Sequence, residues 1–167
     1  GEYEVEQNFD IIVNPVNDAP VVENIETSVD EDLSVSFNFI ASDIDNDLDD
    51  LNIIILTAQD YGTLDVDGLS ATYTPNQDVN ATEIILFKAT DGSLSSNSGM
   101  ITITINPVND APVIVDIDNQ VIDEDGSLTL DLSASDVDGD DLTYSITVGD
   151  QITAILDGSN ITFTVED

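Results

Sequence analysis

The chain has 167 residues, of which 36 are Asp or Glu and one is Lys or Arg, giving a formal net charge of −35 with no His and no Cys. Such a balance repels nucleic acid and anionic membrane surfaces, which are themselves densely negative, and leaves cations or neutral surfaces as partners. Lack of thiols excludes disulfides and soft-metal sites, while 41% hydrophobic residues suffice for a packed core.

In chain order, "GEYEVEQNFDIIVNPV" (1–16) resembles "GSLSSNSGMITITINPV" (92–108), so it reads as the closing strand of a preceding repeat. It lacks the pattern of a signal peptide, and no apolar run in the chain approaches the roughly 18 residues of a membrane span. The chain therefore reads as an internal segment of a longer protein. The phrase "NPVNDAPV" then occurs at 14–21 and recurs identically at 106–113, 92 positions later. A period of that length points to tandem modules of domain size.

The copies continue in step. "VDEDLSVSF" (29–37) lies over "IDEDGSLTL" (122–130), "ASDIDNDLDDL" (41–51) over "ASDVDGDDL" (134–142), and "VDGLSATYTP" (66–75) over "LDGSNITFTV" (156–165). The match stops at Asp167, while the first copy continues with "NATEIILFKATDGSLSSNSGMITITI" (80–105). Expected units are thus 1–16, a complete repeat at 17–108, and a partial repeat at 109–167.

Within a unit, "LSVSFNF" (33–39), "ITITI" (101–105) and "ITFTV" (161–165) alternate with period two, the pattern of half-buried strands. "LNIIIL" (51–56) and "EIILF" (83–87) are more continuously apolar and read as central strands. Asp67-Gly68 and Asp157-Gly158 separate short alternating runs, where a tight hairpin needs positive φ. Pro20 and Pro112 fall at the start of a first strand, where a missing N–H is tolerated. No segment carries a helical period. About seven short strands per unit point to an all-β fold of tandem immunoglobulin-like β-sandwiches.

Two clusters, "SDIDNDLDD" (42–50) and "SDVDGDD" (135–141), place Asp at alternate positions. Carboxylates about 4 Å apart repel by roughly 4 kcal/mol at an effective dielectric near 20, so a folded loop gathering several calls for a cation. Ca²⁺ suits an all-oxygen donor set, whereas Zn²⁺ wants nitrogen or sulfur. Neither loop is an EF-hand: position six is Leu48 or Asp141 instead of Gly, and position twelve is Ile54 or Thr147 instead of Glu. A solvated acidic surface is the competing reading.

"FKATDGSLSSNSGMITITINPVNDAPV" (87–113) resembles the end of a cadherin repeat and its linker, and "ASDVDGDDLTYSI" (134–146) resembles the cadherin D-x-D segment. The variety most similar is the bacterial cadherin-like repeat of large surface adhesins, whose modules run in tandem around "VNDAP" links. The resemblance implies Ca²⁺ at each junction. At the first it implies Asn17, Asp18, Asp43, Asp45 and Asp91 as ligands; at the second, Glu31, Asn109, Asp110, Asp136 and Asp138. "YTPNQDVN" (73–80) stands where the family has "LDRE", and the linker lacks the second Asn of "NDN", which implies fewer or more weakly held ions per junction.

Catalysis is not expected. Without His or Cys, and with one Lys at position 88, only paired carboxylates could serve as acid and base. The resemblance implies an extracellular, bacterial cell-surface stalk whose partners are calcium ions and neighbouring repeats. The alternative is a carbohydrate-binding module recognising polysaccharide or another cell-surface partner; its aromatic platforms would have to come from Tyr3, Tyr61, Tyr73, Tyr144 and five Phe, with no Trp.

Overall fold

A computed structural model of the chain describes residues 1, 3–149 and 152–165. The chain divides into two compact units, Gly1–Pro107 and Val108–Asp167. Among the described residues the first contains nine strands: β1 (Val21–Val22), β2 (Ile25–Asp30), β3 (Val35–Asn38), β4 (Ala41–Ser42), β5 (Asn52–Ile55), β6 (Gly62–Asp67), β7 (Ser70–Pro75), β8 (Thr82–Thr90) and β9 (Gly99–Asn106). A single 3₁₀ turn, Leu48–Asp50, is its only helical element among the described residues.

Two sheets carry the fold. One has the antiparallel order β3-β7-β6; the other has the order β2-β9-β8-β5, with β2 running parallel to β9. β1 pairs with β4, which follows β3 after a two-residue break. The arrangement is that of an immunoglobulin-like sandwich. Period-two sequence makes it so. On β9, Ile101, Ile103 and Ile105 face inward and Thr102 and Thr104 outward; on β8, Ile85, Phe87 and Ala89 are fully buried. They meet Val35 and Phe37 of β3 and Ala71 and Tyr73 of β7 in one core.

The two continuously apolar runs part company in the structure. "EIILF" lies in β8, which is central, flanked by β9 and β5, but its burial alternates, leaving Ile84 and Leu86 outward. "LNIIIL" supplies β5, which is an edge strand and not a central one. Its inward side chains, Ile53 and Ile55, pack on the core, while Ile54 faces out opposite Lys88. An apolar outward face mimics two-sided burial in sequence.

Hairpin β6–β7 turns through Gly68 at φ 58°, directly after Asp67, and the corresponding turn of the second unit uses Gly158 at φ 60°. At the far end of the core, Glu83 is buried, and its Oε2 accepts from Asp60 N–H at 3.0 Å, Tyr61 N–H at 2.8 Å and the Tyr73 hydroxyl at 3.1 Å. Burial and then the Glu83 carboxylate hold the Tyr73 phenol protonated well above its ordinary range. This carboxylate therefore caps two part-buried loop N–H groups and a buried core hydroxyl that would otherwise have no acceptor.

The second unit contains β10 (Val113–Ile114), β11 (Ser127–Asp131), β12 (Ala134–Ser135), β13 (Ile152–Asp157) and β14 (Asn160–Val165). β10 pairs with β12, and β11-β14-β13 form an antiparallel sheet that repeats β3-β7-β6 residue for residue along the offset found in the sequence. Among its described residues no strand corresponds to β2, β5, β8 or β9. Residues 3–20 likewise lie in no strand, and Phe9, Ile11, Ile12 and Val13 are 77% to 85% exposed. Over its described residues 3–16 the closing-strand pattern thus appears without a ladder, because an extended segment becomes a strand only beside a neighbour.

Truncating Glu83 to Ala strands three donors, and the first unit is expected to lose about 3 to 5 kcal/mol; Tyr73→Phe, which removes one hydrogen bond, should cost about 1 kcal/mol. Urea unfolding followed by a probe confined to residues 17–107 would read both, and equal costs for the two would contradict the capping role.

Candidate metal centre

The linker and the first D-x-D loop meet because of one short ladder. β1 and β4 are antiparallel, with Val21 opposite Ser42 and Val22 opposite Ala41, so the residues just before Val21 lie beside those just after Ser42. Asn17-Asp18 and Asp43-x-Asp45 are thereby brought to the same edge. Three further contacts fix β1. Pro20 is fully buried, the side chain of Asn97 accepts from Val22 N–H at 3.1 Å and donates to Val22 C=O at 2.9 Å, and Val22 itself enters the core.

Hydrogen bonds then knit the loop to the linker. Asp45 N–H and Asn46 N–H donate to Asp43 Oδ1 at 2.8 and 3.0 Å, and Asp18 N–H donates to Asp45 Oδ2 at 2.8 Å. The Asn17 side-chain amide donates to Asp91 Oδ2 at 2.8 Å, and Asp91 Oδ1 accepts Ser93 N–H and Leu94 N–H, both at 2.6 Å. The Leu94 N–H first, then the Asn17 amide and the Ser93 N–H, hold the Asp91 carboxyl below the usual carboxylate range. All five residues expected at the first junction, Asn17, Asp18, Asp43, Asp45 and Asp91, therefore sit in one connected network within the first unit.

Two oxygens of that network are closed off from solvent and accept no hydrogen bond: Asp43 Oδ2 and Asn46 Oδ1. Asn46 escaped the sequence reading. Its signal was its place directly after D-x-D, where the second copy has Gly139 at φ 80°.

The second unit repeats the arrangement. Val113 pairs with Ser135, Asp110 N–H donates to Asp138 Oδ2 at 2.7 Å, and Asp138 N–H donates to Asp136 Oδ1 at 3.0 Å. Asn109 turns its amide onto the Asp110 carbonyl at 2.9 Å, as Asn17 does onto Asp18 at 3.2 Å. Asn109, Asp110, Asp136 and Asp138 are thus brought together. Glu31 lies in the first unit, buried just after β2, with its N–H donating to Asn106 C=O at 2.9 Å.

Residues 17–104 and 109–167 both match the bacterial Ig domain family. The chain belongs to that family. It is a tandem of bacterial Ig-like domains. No curated protein matches it. Among solved structures it is similar to an endo-fucoidan hydrolase from glycoside hydrolase family 107, at 19% identity and TM-score 0.48 over 93% of this chain and 25% of that one. It is also similar to extracellular cadherin domains 3–6 of protocadherin gamma B2, at 13% identity and TM-score 0.49 over 89% and 39%. Domains 4–9 of the surface layer protein SbsC give 15% identity and TM-score 0.34 over 91% and 27%. The bacterial Ig tandem spans about a quarter of the hydrolase's length.

Asn97→Ala removes both side-chain hydrogen bonds to the backbone of Val22, and the first unit is expected to lose about 1 to 3 kcal/mol. Amide exchange at Val22 and Asp18 should quicken together, since both depend on β1 staying in place. Faster exchange at Val22 with unchanged protection at Asp18 would uncouple the linker from the ladder.

Proposed function

We propose that this chain is a calcium-binding stretch of a bacterial cell-surface adhesin, a tandem-repeat stalk that Ca²⁺ stiffens where each linker meets its sandwich. The observation that carries this reading is the pair Asp43 Oδ2 and Asn46 Oδ1, solvent-excluded oxygens without donors in a loop already bonded to the linker. Leaving a buried acceptor unsatisfied costs about 1 to 3 kcal/mol, more for a charged group. A cation held between them removes that cost and the repulsion among the neighbouring carboxylates.

The residues present fit a hard cation, because every side chain that could bind it offers oxygen. Asn17, Asp18, Asp43, Asp45, Asn46 and Asp91 would hold it in the first unit. Asn109, Asp110, Asp136 and Asp138 would hold it in the second, with Glu31 the acidic residue that the cadherin resemblance adds from the first. The chain's own part is positional. β1 and β10 hold the linker against the loop, and backbone N–H groups turn Asp43 and Asp136 so that one carboxylate oxygen of each is engaged by the loop itself. A bound ion supplies charge neutralisation and ties linker to loop. In this reading the protein lies outside the cell, its partners are calcium ions and neighbouring repeats, and it performs no reaction.

Thermal unfolding in ~10 mM Ca²⁺ should show a first unit more stable by about 1 to 3 kcal/mol than in chelator, as mass action requires for a Kd of ~10⁻⁴ to 10⁻³ M. Identical melting in calcium and in chelator would refute calcium binding. The two sites should also differ, because Asn46 gives the first an oxygen that Gly139 cannot give the second. Asn46→Gly should weaken the tighter class of site in a calorimetric titration and leave the weaker class unchanged.

A further inference from the structure

We propose that the outer face of the four-stranded sheet of the first unit docks on the same face of a second copy of this chain, about a two-fold axis passing over Met100. The outward positions of that sheet gather Ile54 on β5, Leu56 just after it, Ile84 and Leu86 on β8, and Met100 on β9. They form one block: Lys88 lies opposite Ile54, Leu56 N–H donates to Leu86 C=O at 2.8 Å, and Leu86 lies opposite Met100. The four aliphatic side chains are 36% to 53% exposed. The solvent side of a sheet ordinarily reads polar, as it does on the other sheet, where Ser36, Asn38, Asp65, Asp67, Ser70 and Thr72 point outward. A contiguous apolar block in that position marks an interaction surface.

Charge selects the occupant. The chain has a net charge of −35, yet the outward positions of β2, β5, β8 and β9 carry only Glu26, Asp30 and Lys88, the one Lys or Arg in the sequence. Two copies can therefore meet on this face without setting carboxylates against carboxylates. Among the described residues Lys88 has no acidic partner. Glu26 stands in the same sheet but two strands across and four residues along, about 17 Å away and beyond the reach of an ion pair.

The register makes the face self-complementary. Leu86 is opposite Met100, so Lys88 lies one strand across from Met100 and two residues along; Thr102 is opposite Glu26, so Glu26 lies one strand across on the other side and two residues along in the opposite sense. Met100 is midway between the two charges. A two-fold axis in the plane of the interface, over Met100 and perpendicular to the line joining the charges, puts Lys88 of each copy on Glu26 of the other. The same rotation lays the strip of Met100, Leu86 and Ile84 on its own counterpart and leaves Asp30 outside the overlap. Such an interface is isologous and closes at two copies. With one sheet face per partner it belongs to the weak class of interfaces, and tandem repeats standing side by side multiply weak contacts.

Sedimentation equilibrium of the 167-residue chain from ~10 µM to ~1 mM, in chelator so that calcium plays no part, is expected to show a monomer–dimer equilibrium. Dimerisation should strengthen as NaCl rises from ~50 to ~500 mM, because salt screens the repulsion between two strongly acidic copies. Lys88→Glu and Glu26→Lys should each weaken it about tenfold, since symmetry places two such pairs in every dimer, and the double exchange should restore it, with urea unfolding of the first unit unchanged. Glu26→Lys reduces the net negative charge, so a bulk charge effect would move it the other way. A face that serves an acidic partner instead of a second copy would leave the chain monomeric throughout, and that result overturns the proposal. So does Glu26→Lys associating as tightly as the parent chain, or a double exchange no tighter than either single variant.

Discussion

The two-residue ladder between β1 and β4 is the constraint on which the candidate site depends. Two antiparallel residue pairs are a marginal structure alone, since even a full isolated hairpin is barely stable in water. Their persistence comes from what they are attached to: Pro20 and Val22 are buried, and Asn97 satisfies both backbone groups of Val22. Apolar packing thus does the work of bringing together residues that electrostatics would separate. The same ladder in the second unit, β10 with β12, places Asp110 against Asp138 in the way that Asp18 meets Asp45.

A chain with one cationic side chain must answer its 36 carboxylates by other means. Part of the answer is the backbone. Asp43 accepts two N–H groups, Asp45 one, Asp91 two, and Glu83 two together with a hydroxyl. Hydrogen bonds to a carboxylate favour its charged form, and they require loops that curl back on the acid, the geometry that Asp-rich turns adopt readily. Each such bond uses an oxygen, however, and the loop at 43–46 ends with two oxygens that no N–H reaches. Charge handled by backbone donors and charge left over for a cation are therefore separable by inspection of single atoms.

Much of this was legible in the sequence. Period-two alternation marked β3, β9 and β14, although Leu33, which the same pattern turned inward, is 60% exposed and precedes β3; the aspartate–glycine pairs marked both hairpins, and it was the cadherin resemblance that implied a linker meeting the D-x-D loops. Three features were not legible, each for a physical reason. β5 reads as central because alternation reports burial, and its outward Ile54 is apolar at an edge. Asn46 was passed over because an amide among aspartates reads as an ordinary turn residue until its oxygen is seen closed off from solvent. Glu83 opens an apolar run, and nothing local reveals that its partners lie ten and more residues away at Tyr73, Tyr61 and Asp60.

Comparison of the copies separates positions held by backbone geometry from positions that packing or chemistry leaves free to vary. Asp32 and Asp125 both sit in the left-handed region, at φ 66° and 59°, in turns closed by the same hydrogen bond from the residue after them. There Asp is retained because a short polar side chain tolerates that backbone. Tyr73 and its counterpart Phe163 differ by one hydroxyl, and in the first unit that hydroxyl donates to Glu83. Asn46 and Gly139 differ in a side chain that no turn requires, since both loops form the same D-x-D hydrogen bond. Backbone need explains the invariant aspartate and a specific partner explains the tyrosine. The asparagine has neither, which leaves its unsatisfied oxygen as the feature of the first loop that folding alone does not account for.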